Sequence, residues 1–537
     1  MRLSLSLNNV ITKKVSSKKG NTIVLLLVAI LLGVYSFFTW GIKSTVGDWP
    51  SANQNLSNTR EAVNSGIVVD NVSSLGVAWS LPVEGVSEWG AMATNPLIIG
   101  NVVYFQDLKS NVYAVDFKTG KQIWMKEYNL DNAGPNGVSF DSGMIFAVKG
   151  RYGVVGLNLQ GEELWTTTLS DNPNSGIDIQ TTAYKGMVYV STVPGVSNEN
   201  FYKGGSTGII YALDQKTGKI LWSFDTVDSK DIWGNIEVNS GGGAWYPPAI
   251  DTTRNIMYWG IGNPAPWPGT AEFPNGTSRL GKNLYTNSIV ALEQKTGKLL
   301  WYNQVLPHDL FDYDFQISPI LSTMKANGKI RDIIVGAGKM GKVYAFDKNT
   351  GDKIWETSVG THLNDTLKVL PGGVTRVSPG PLGGVETNMA YSEGVVYVPV
   401  VNMEVQYTPT EFVAKSFDLG KAKGELVALD VTDGKIIWKY DFLSMNVGAA
   451  TVVNNLVFTS TLDGKIYAFD KVSGKKVWEY QASGGINGWP AVKGDTIIFP
   501  VGMGKEPTLL ALRLGAVSQT ATVSATPVSG RGKEFDQ

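Results

Sequence analysis

The sequence predicts an all-β fold, an eight-bladed β-propeller with Trp-docking blade repeats, preceded by one N-terminal transmembrane helix. Three observations predict it. One short unit recurs along the chain and ends each time in Trp: YAVDFKTGKQIW at Trp124, VVGLNLQGEELW at Trp165, YALDQKTGKILW at Trp222, VALEQKTGKLLW at Trp301, YAFDKNTGDKIW at Trp355, VALDVTDGKIIW at Trp438 and YAFDKVSGKKVW at Trp478. A half-copy, SSLGVAW, ends at Trp79. Composition agrees: of 537 residues 61 are Gly, 10% are aromatic and only 17% are charged, which suits many short strands joined by tight turns around a large core. Residues 21–42 carry no charged side chain, long enough for the about 20 apolar residues that cross a bilayer.

From the N-terminus, residues 1–20 form a basic segment, with Lys13, Lys14, Lys18 and Lys19 just before the apolar run. The positive-inside rule places that segment in the cytoplasm and everything after Lys43 on the far side. The run ends in Phe37, Phe38 and Trp40, not in the small residues of a cleavage site, so residues 21–42 read as an uncleaved signal anchor, with a cleaved signal peptide as the competing reading. Residues 43–515 form the propeller. In each unit the Y-A-x-D or V-A-L-x run is a strand, the T-G or D-G pair is a turn in which Gly takes positive φ, and K-x-x-W is the returning strand. A further short strand precedes each unit, such as NVVYF, GMVYV or GVVYV. Four strands in about 40 residues make a propeller blade, and eight Trp-ended strands make eight blades. The last sheet, near Thr496 to Leu514, is expected to close with the first strands after Asp48. Residues 516–537, rich in Ser, Thr and Ala, read as a disordered tail.

Net charge near −1 gives no basic footprint for nucleic acid, and zero Cys excludes disulfides, thiolate metal sites and Cys nucleophiles. The Trp spacing stretches from Trp222 to Trp301 and from Trp355 to Trp438, and long loops on a rigid scaffold are where function sits. The first gap holds GGGAW (Gly243, Trp245) and GNPAPW (Asn263), and LPHDLFDYD (His308, Asp312, Asp314) follows Trp301. The second gap holds SPGPLGGVETNMAYS (Asn388). Taken alone, the Asp pair suits a solvated loop, Trp245 suits blade packing and Asn263 suits a turn.

Together, in this order and spacing, WGNIEVNSGGGAWYPPAID, WGIGNPAPW and LPHDLFDYD resemble the pyrroloquinoline quinone (PQQ)-dependent alcohol dehydrogenases, in the variant with an Asp-x-Asp pair. The resemblance runs from about Asp48 to Leu514. It implies Asn263, Asp312, Asp314 and, from the third blade, Glu199 as ligands of a lanthanide ion or Ca²⁺. It implies Asp312 as catalytic base, Lys339 beside the quinone carbonyl, and Trp245, Gly243, Asn136 and Asn388 around the quinone. Residues i and i+2 of an extended segment point the same way, so Asp312 and Asp314 can converge on one cation. A second carboxylate favours a trivalent ion, and both ions take hard oxygen donors. His308 supports the loop by hydrogen bonding.

The chain departs from the family in three places: the vicinal Cys pair is missing near Leu130 and Asp131, the neighbouring Arg is Asn136, and an acid of the first blade is Ala93 or a neighbour. The implied function is extracytoplasmic oxidation of a small alcohol, with electrons passed to a cytochrome or copper protein. The alternatives are a non-catalytic propeller that binds or assembles envelope components, and a metal-assisted hydrolase.

Overall fold

The computed structural model describes residues 47–132, 134–194, 204–326 and 328–516. The expected membrane segment, Glu199 and the tail beyond 516 lie outside the described residues. Among the described residues no helix is long and apolar enough to cross a membrane.

Seven four-stranded antiparallel sheets follow one another at residues 97–126, 139–168, 182–225, 249–304, 320–358, 390–442 and 451–481, here blades 1 to 7. Blade 8 is composite. Ala491–Lys493, Thr496–Val501 and Thr508–Leu514 take Leu75–Pro82 as their outermost strand. The expected closure is therefore present, but the residues nearest Asp48 do not make it. Glu61–Ala62 instead add a short parallel strand to the inner edge of blade 7. Arg60 fixes that detour. Its guanidinium is fully buried and donates to the carbonyls of Ala52, Ala450 and Pro490 and to Asn53 and Thr451, so all five N–H groups are used on neutral acceptors.

The repeat motif explains how one blade holds the next. Within every blade the Trp stands directly across from a small residue: Trp124 from Ala114, Trp165 from Gly156, Trp222 from Ala212, Trp301 from Ala291, Trp355 from Ala345, Trp438 from Ala428, Trp478 from Ala468 and Trp79 from Ala511. The small partner leaves the indole free to lie over the following blade. There it meets the turn glycine: Gly120 under Trp79, Gly161 under Trp124, Gly218 under Trp165, Gly297 under Trp222, Gly351 under Trp301, Gly434 under Trp355 and Gly474 under Trp438. Each of these glycines has φ between +69° and +80°, and a Cβ there would collide with the ring. Six of the indole N–H groups also donate to a carbonyl of the next blade, such as Trp124 to Leu159 at 2.9 Å and Trp355 to Val431 at 2.9 Å. The D-x-x-T-G run thus supplies a flat backbone seat for a large ring, and the seat recurs around the circle.

Inner strands are buried or half-buried, fully so in Leu97–Ile99 and Thr451–Val453. Outer strands alternate between solvent and core. Antiparallel blades bring two kinds of segment to one end of the ring: the one entering each innermost strand, and the loop between second and third strands. The candidate residues lie on those segments.

Candidate functional site

Asp312 and Asp314 sit between blades 4 and 5 on a loop that carries its own scaffolding. The buried Asp309 carboxylate accepts from the amides of Phe311 (2.8 Å) and Tyr313 (2.6 Å) and from the Asn287 side chain (3.2 Å). Arg279, fully buried, holds the Asp309 and Pro266 carbonyls. Tyr313 donates to the Pro379 carbonyl, and Tyr407 donates to that of Phe311. His308 contacts the Asn275 carbonyl through Nε2 at 3.2 Å, and burial lowers its pKa. The supporting role expected for it holds.

The two carboxylates do converge, though not by the period of an extended strand. Asp312 has φ of +65°, a left-handed conformation in the middle of the loop. They converge on Lys339, from the second hairpin of blade 5. Its ammonium lies 2.9 Å from Asp312 Oδ2 and 2.7 Å from Asp314 Oδ2. It also stands 5.2 Å from the centre of the Trp245 ring, within cation–π range. Asn263 joins through its backbone: its N–H donates to Asp314 Oδ1 at 2.7 Å, while its side-chain Nδ2 donates to the Pro264 carbonyl. Gly243 and Gly262 let these segments touch, with the Gly262 N–H on the Gly243 carbonyl at 2.7 Å. A Cβ on Gly262 would overlap Asp314 Oδ1 and come within 2.8 Å of Trp245 Nε1.

Asn136 and Asn388 are buried at the same end of the ring. The Asn136 Oδ1 accepts from the Ile179 amide, and among the described residues its Nδ2 has no hydrogen-bond partner. Neither side-chain atom of Asn388 has one. Gly243, Trp245, Asn263, Asp312, Asp314 and Lys339 are thus brought together, with Asn136 and Asn388 on neighbouring blades.

Three further residues belong here that sequence reasoning missed: Asp178, Tyr246 and Glu386. Asp178 is 3% exposed and Glu386 is partly open. Burial pushes each acid up to about 8, with repulsion from Asp314 adding and attraction to Lys339 opposing. Burial also raises Asp312 well above the ordinary carboxylate range, against the pull of Lys339. Burial alone would lower Lys339, but Asp312, Asp314 and Glu386 overcome it and hold the ammonium charged. Tyr246 donates to the Glu386 carbonyl at 2.6 Å and stacks on Trp489 of blade 8 at 5.4 Å. A signal for the two acids exists, and Trp245 shares it. Asp178, Trp245 and Glu386 each stand four residues before the innermost strand of their blade, which starts at Thr182, Ala249 and Ala390.

Comparison with known proteins decides the family. The model of the glucose/ethanol/alcohol dehydrogenase β-propeller domain matches residues 49–151 and 141–359, more than half of the chain. The chain belongs to the PQQ-dependent alcohol dehydrogenase family. Relatives within the family include the quinoprotein alcohol dehydrogenase PedH of Pseudomonas putida, 29% identical over 79% of this chain and 80% of that protein. The quinohemoprotein alcohol dehydrogenase of Comamonas testosteroni is 27% identical over 83% of this chain and 70% of its own length. Among solved structures, the fold is shared with a europium-containing methanol dehydrogenase (TM-score 0.74, 22% identity, 88% of this chain and 99% of that one). A second model, of the outer membrane protein assembly factor BamB, matches residues 339–537.

The residues fit the family's cofactors. Asn263, Asp312 and Asp314 offer hard oxygen donors, and four buried or half-buried carboxylates face one ammonium, a charge surplus that a multivalent cation offsets. The partnerless groups at Asn136 Nδ2, Asn388 Nδ2, Thr387 Oγ1 and Trp489 Nε1 suit a flat ligand rich in acceptor oxygens. No group of three or more His, Cys, Asp or Glu poised for a metal is found among the described residues.

Proposed function

We propose that this chain oxidises a small alcohol with PQQ and a hard cation held at the Asp312–Asp314–Lys339 corner. The observation that carries the reading is the Lys339 ammonium bridging both carboxylates above the Trp245 ring. When bound, the quinone supplies the two-electron acceptor and the cation its polarising charge. Asn263, Asp312 and Asp314 would hold the cation, and Trp245 and Gly243 would underlie the quinone. Asp312 takes the alcohol's hydroxyl proton at Oδ2, in the position that Lys339 now fixes by a 2.9 Å contact. Lys339 stays charged and keeps that oxygen oriented. Asp309 and Arg279 hold the loop rigid, so the base cannot drift from its target.

The second carboxylate, Asp314, supports a trivalent ion over Ca²⁺, as does the fold shared with a europium-containing enzyme. The uncharged run of residues 21–42 behind four Lys supports a membrane-anchored propeller on the extracytoplasmic side, where a cytochrome or copper protein would take the electrons. The test is reconstitution of the purified protein with PQQ and La³⁺ or Ca²⁺, followed by dye-linked alcohol oxidation. Activity that Asp312→Asn abolishes is expected, and no quinone retention with either ion would overturn the reading. The BamB-like match over residues 339–537 favours one second reading, a non-catalytic envelope module. That reading requires a melting temperature indifferent to added metal and quinone.

A further inference from the structure

Asp312 has φ of +65° and is buried. A residue other than Gly stays in that left-handed region only where its surroundings hold it there. The peptide group is planar, so the Phe311 carbonyl turns with φ of Asp312 and the Tyr313 amide turns with ψ. Both groups are held. The Asp309 carboxylate accepts from the Tyr313 amide at 2.6 Å. The Tyr407 hydroxyl donates to the Phe311 carbonyl at 3.2 Å. Asp309 belongs to the loop itself, whereas Tyr407 comes from blade 6, 96 positions away in the chain. Tyr407 ends a two-stranded ribbon, Val405–Tyr407 against Thr375–Val377. The ribbon is built from the two long segments that flank the first two strands of that blade. The Tyr407 ring is 0% exposed and packs on Trp267, Phe311 and Phe412, with centroids 6.4, 5.3 and 5.6 Å away, which fixes the hydroxyl. The same insert reaches the partner of Asp312. The Val385 amide donates to the Gly338 carbonyl at 3.1 Å, and a Cβ on Gly384 would overlap the Lys339 carbonyl. From the long loop of blade 4, Asn275 donates its amide to the Pro409 carbonyl at 2.7 Å and accepts from the Leu370 amide at 2.8 Å. Both ends of the 2.9 Å contact between Asp312 and Lys339 are therefore located by one insert, which blade 4 in turn steadies.

We propose that the blade 6 ribbon is a brace for the proton-accepting carboxylate and that Tyr407 is its positioning residue. The Tyr407 hydroxyl fixes the peptide that enters Asp312, keeps φ left-handed and so keeps Oδ2 where it meets Lys339 and the hydroxyl proton of the alcohol. Tyr407 acts through the backbone alone. Its loss therefore misplaces the base without removing a group that binds substrate, and small misplacements of a catalytic group are costly. The effect on rate rests on the reading of Asp312 as the base; the effect on geometry does not.

The test compares the full-length parent, reconstituted with PQQ and La³⁺, with Tyr407→Phe, Tyr313→Phe and Arg376→Gln. Tyr407→Phe removes the hydroxyl and keeps the ring. Tyr313→Phe is the matched case: it removes an equally buried hydroxyl that donates to Pro379 of the same insert at 2.9 Å but holds neither peptide beside Asp312. Arg376→Gln removes an exposed ion pair with Glu404 on the ribbon and should leave every readout unchanged. Tyr407→Phe should lower kcat by roughly tenfold or more with KM within about twofold, since the lost bond acts on the placement of the base and not on substrate binding. Tyr313→Phe should lower Tm by a similar amount but kcat by less than about threefold. Two readouts need no turnover. Affinity for Tb³⁺ in the absence of quinone, followed by luminescence sensitised through Trp245, should fall about two- to tenfold in Tyr407→Phe. Its crystal structure should show Asp312 out of the left-handed region or Oδ2 parted from Lys339. Equal losses of kcat in Tyr407→Phe and Tyr313→Phe overturn the brace, as does an Asp312 that stays in place in the Tyr407→Phe crystal structure. A parent that oxidises no alcohol overturns the dehydrogenase reading, and a displaced Asp312 with weakened Tb³⁺ binding then still upholds the brace.

Discussion

Replacing Lys339 by Met is the sharpest perturbation of this structure. The ammonium is 4% exposed and is the shared partner of Asp312 and Asp314 at 2.9 and 2.7 Å. Met keeps the length of the side chain and removes its charge, leaving two like charges buried together. Breaking a buried ion pair by removing one partner costs about 3–5 kcal/mol. For a body of this size the unfolding entropy is roughly 1 kcal/mol per degree, so Tm should fall by about 3–5 °C without added metal. The direction with pH follows from the carboxylates. Burial already raises Asp312 above the ordinary carboxylate range and Lys339 opposes that rise, so without Lys339 the folded state binds still more protons. The loss should therefore be smallest in acid and grow as pH rises. Added La³⁺ or Ca²⁺ should restore stability more in the variant than in the parent, because the cation takes over the position of the ammonium. Differential scanning calorimetry across pH, with and without metal, measures all three effects. A variant as stable as the parent at neutral pH, or one that metal does not rescue, would refute the assignment of Lys339 as the counter-charge.

Asp178 and Glu386 make a prediction of their own: with folded pKa values near 8, they stabilise fully below the ordinary carboxylate range, and that contribution is lost as pH rises toward 8 and beyond. Denaturant midpoints should decline over that window, and Asp178→Asn with Glu386→Gln should flatten the decline. Gly262→Ala forces a methyl into Asp314 and the Trp245 ring, so quinone retention, read by absorbance, should drop sharply at a stability cost of about 1–3 kcal/mol. Gly434→Ala, under Trp355 with φ of +74°, should cost at least about 1 kcal/mol by calorimetry while leaving metal affinity unchanged. Arg60→Met strands five buried acceptors and should lower Tm by several degrees, loosening blades 7 and 8 first in hydrogen exchange.

The ring was open to reading because its unit is local. Ala, Asp, Thr, Gly and Trp all act within one blade or on the next, and their spacing survives intact in the sequence. The corner at Asp312, Asp314 and Asn263 was open for a similar reason, since unusual residues cluster in two short motifs. What stayed hidden was the partnership across the ring. That Lys339 would hold both Asp residues depends on a hairpin of blade 5 facing a loop between blades 4 and 5, and no local pattern states it. Asp178 and Glu386 look like ordinary loop acids until their shared position before the innermost strand is known. Asp312 converges with Asp314 on the Lys339 ammonium through a left-handed turn pinned by Asp309, a geometry that a strand-like period does not describe. The detour of Glu61–Ala62 onto blade 7 was equally unreadable, because a parallel pair of two residues has no period.

The composite eighth blade makes the ring a latch. Leu75 pairs with Leu514 and Pro82 with Thr508, partners about 440 and 430 residues apart. Bringing such distant segments together as an open chain would cost about 5 kcal/mol in loop entropy. Blades 1 to 7 can stack one after another, as repeat units do, and each shortens the gap left to span. A seam that joins segments so far apart in the chain is expected to close last and to open first under heat or force. Trp489 rides on that final blade and lies against Tyr246 of the pocket. Seam and pocket therefore share blade 8, so loosening that blade disturbs both.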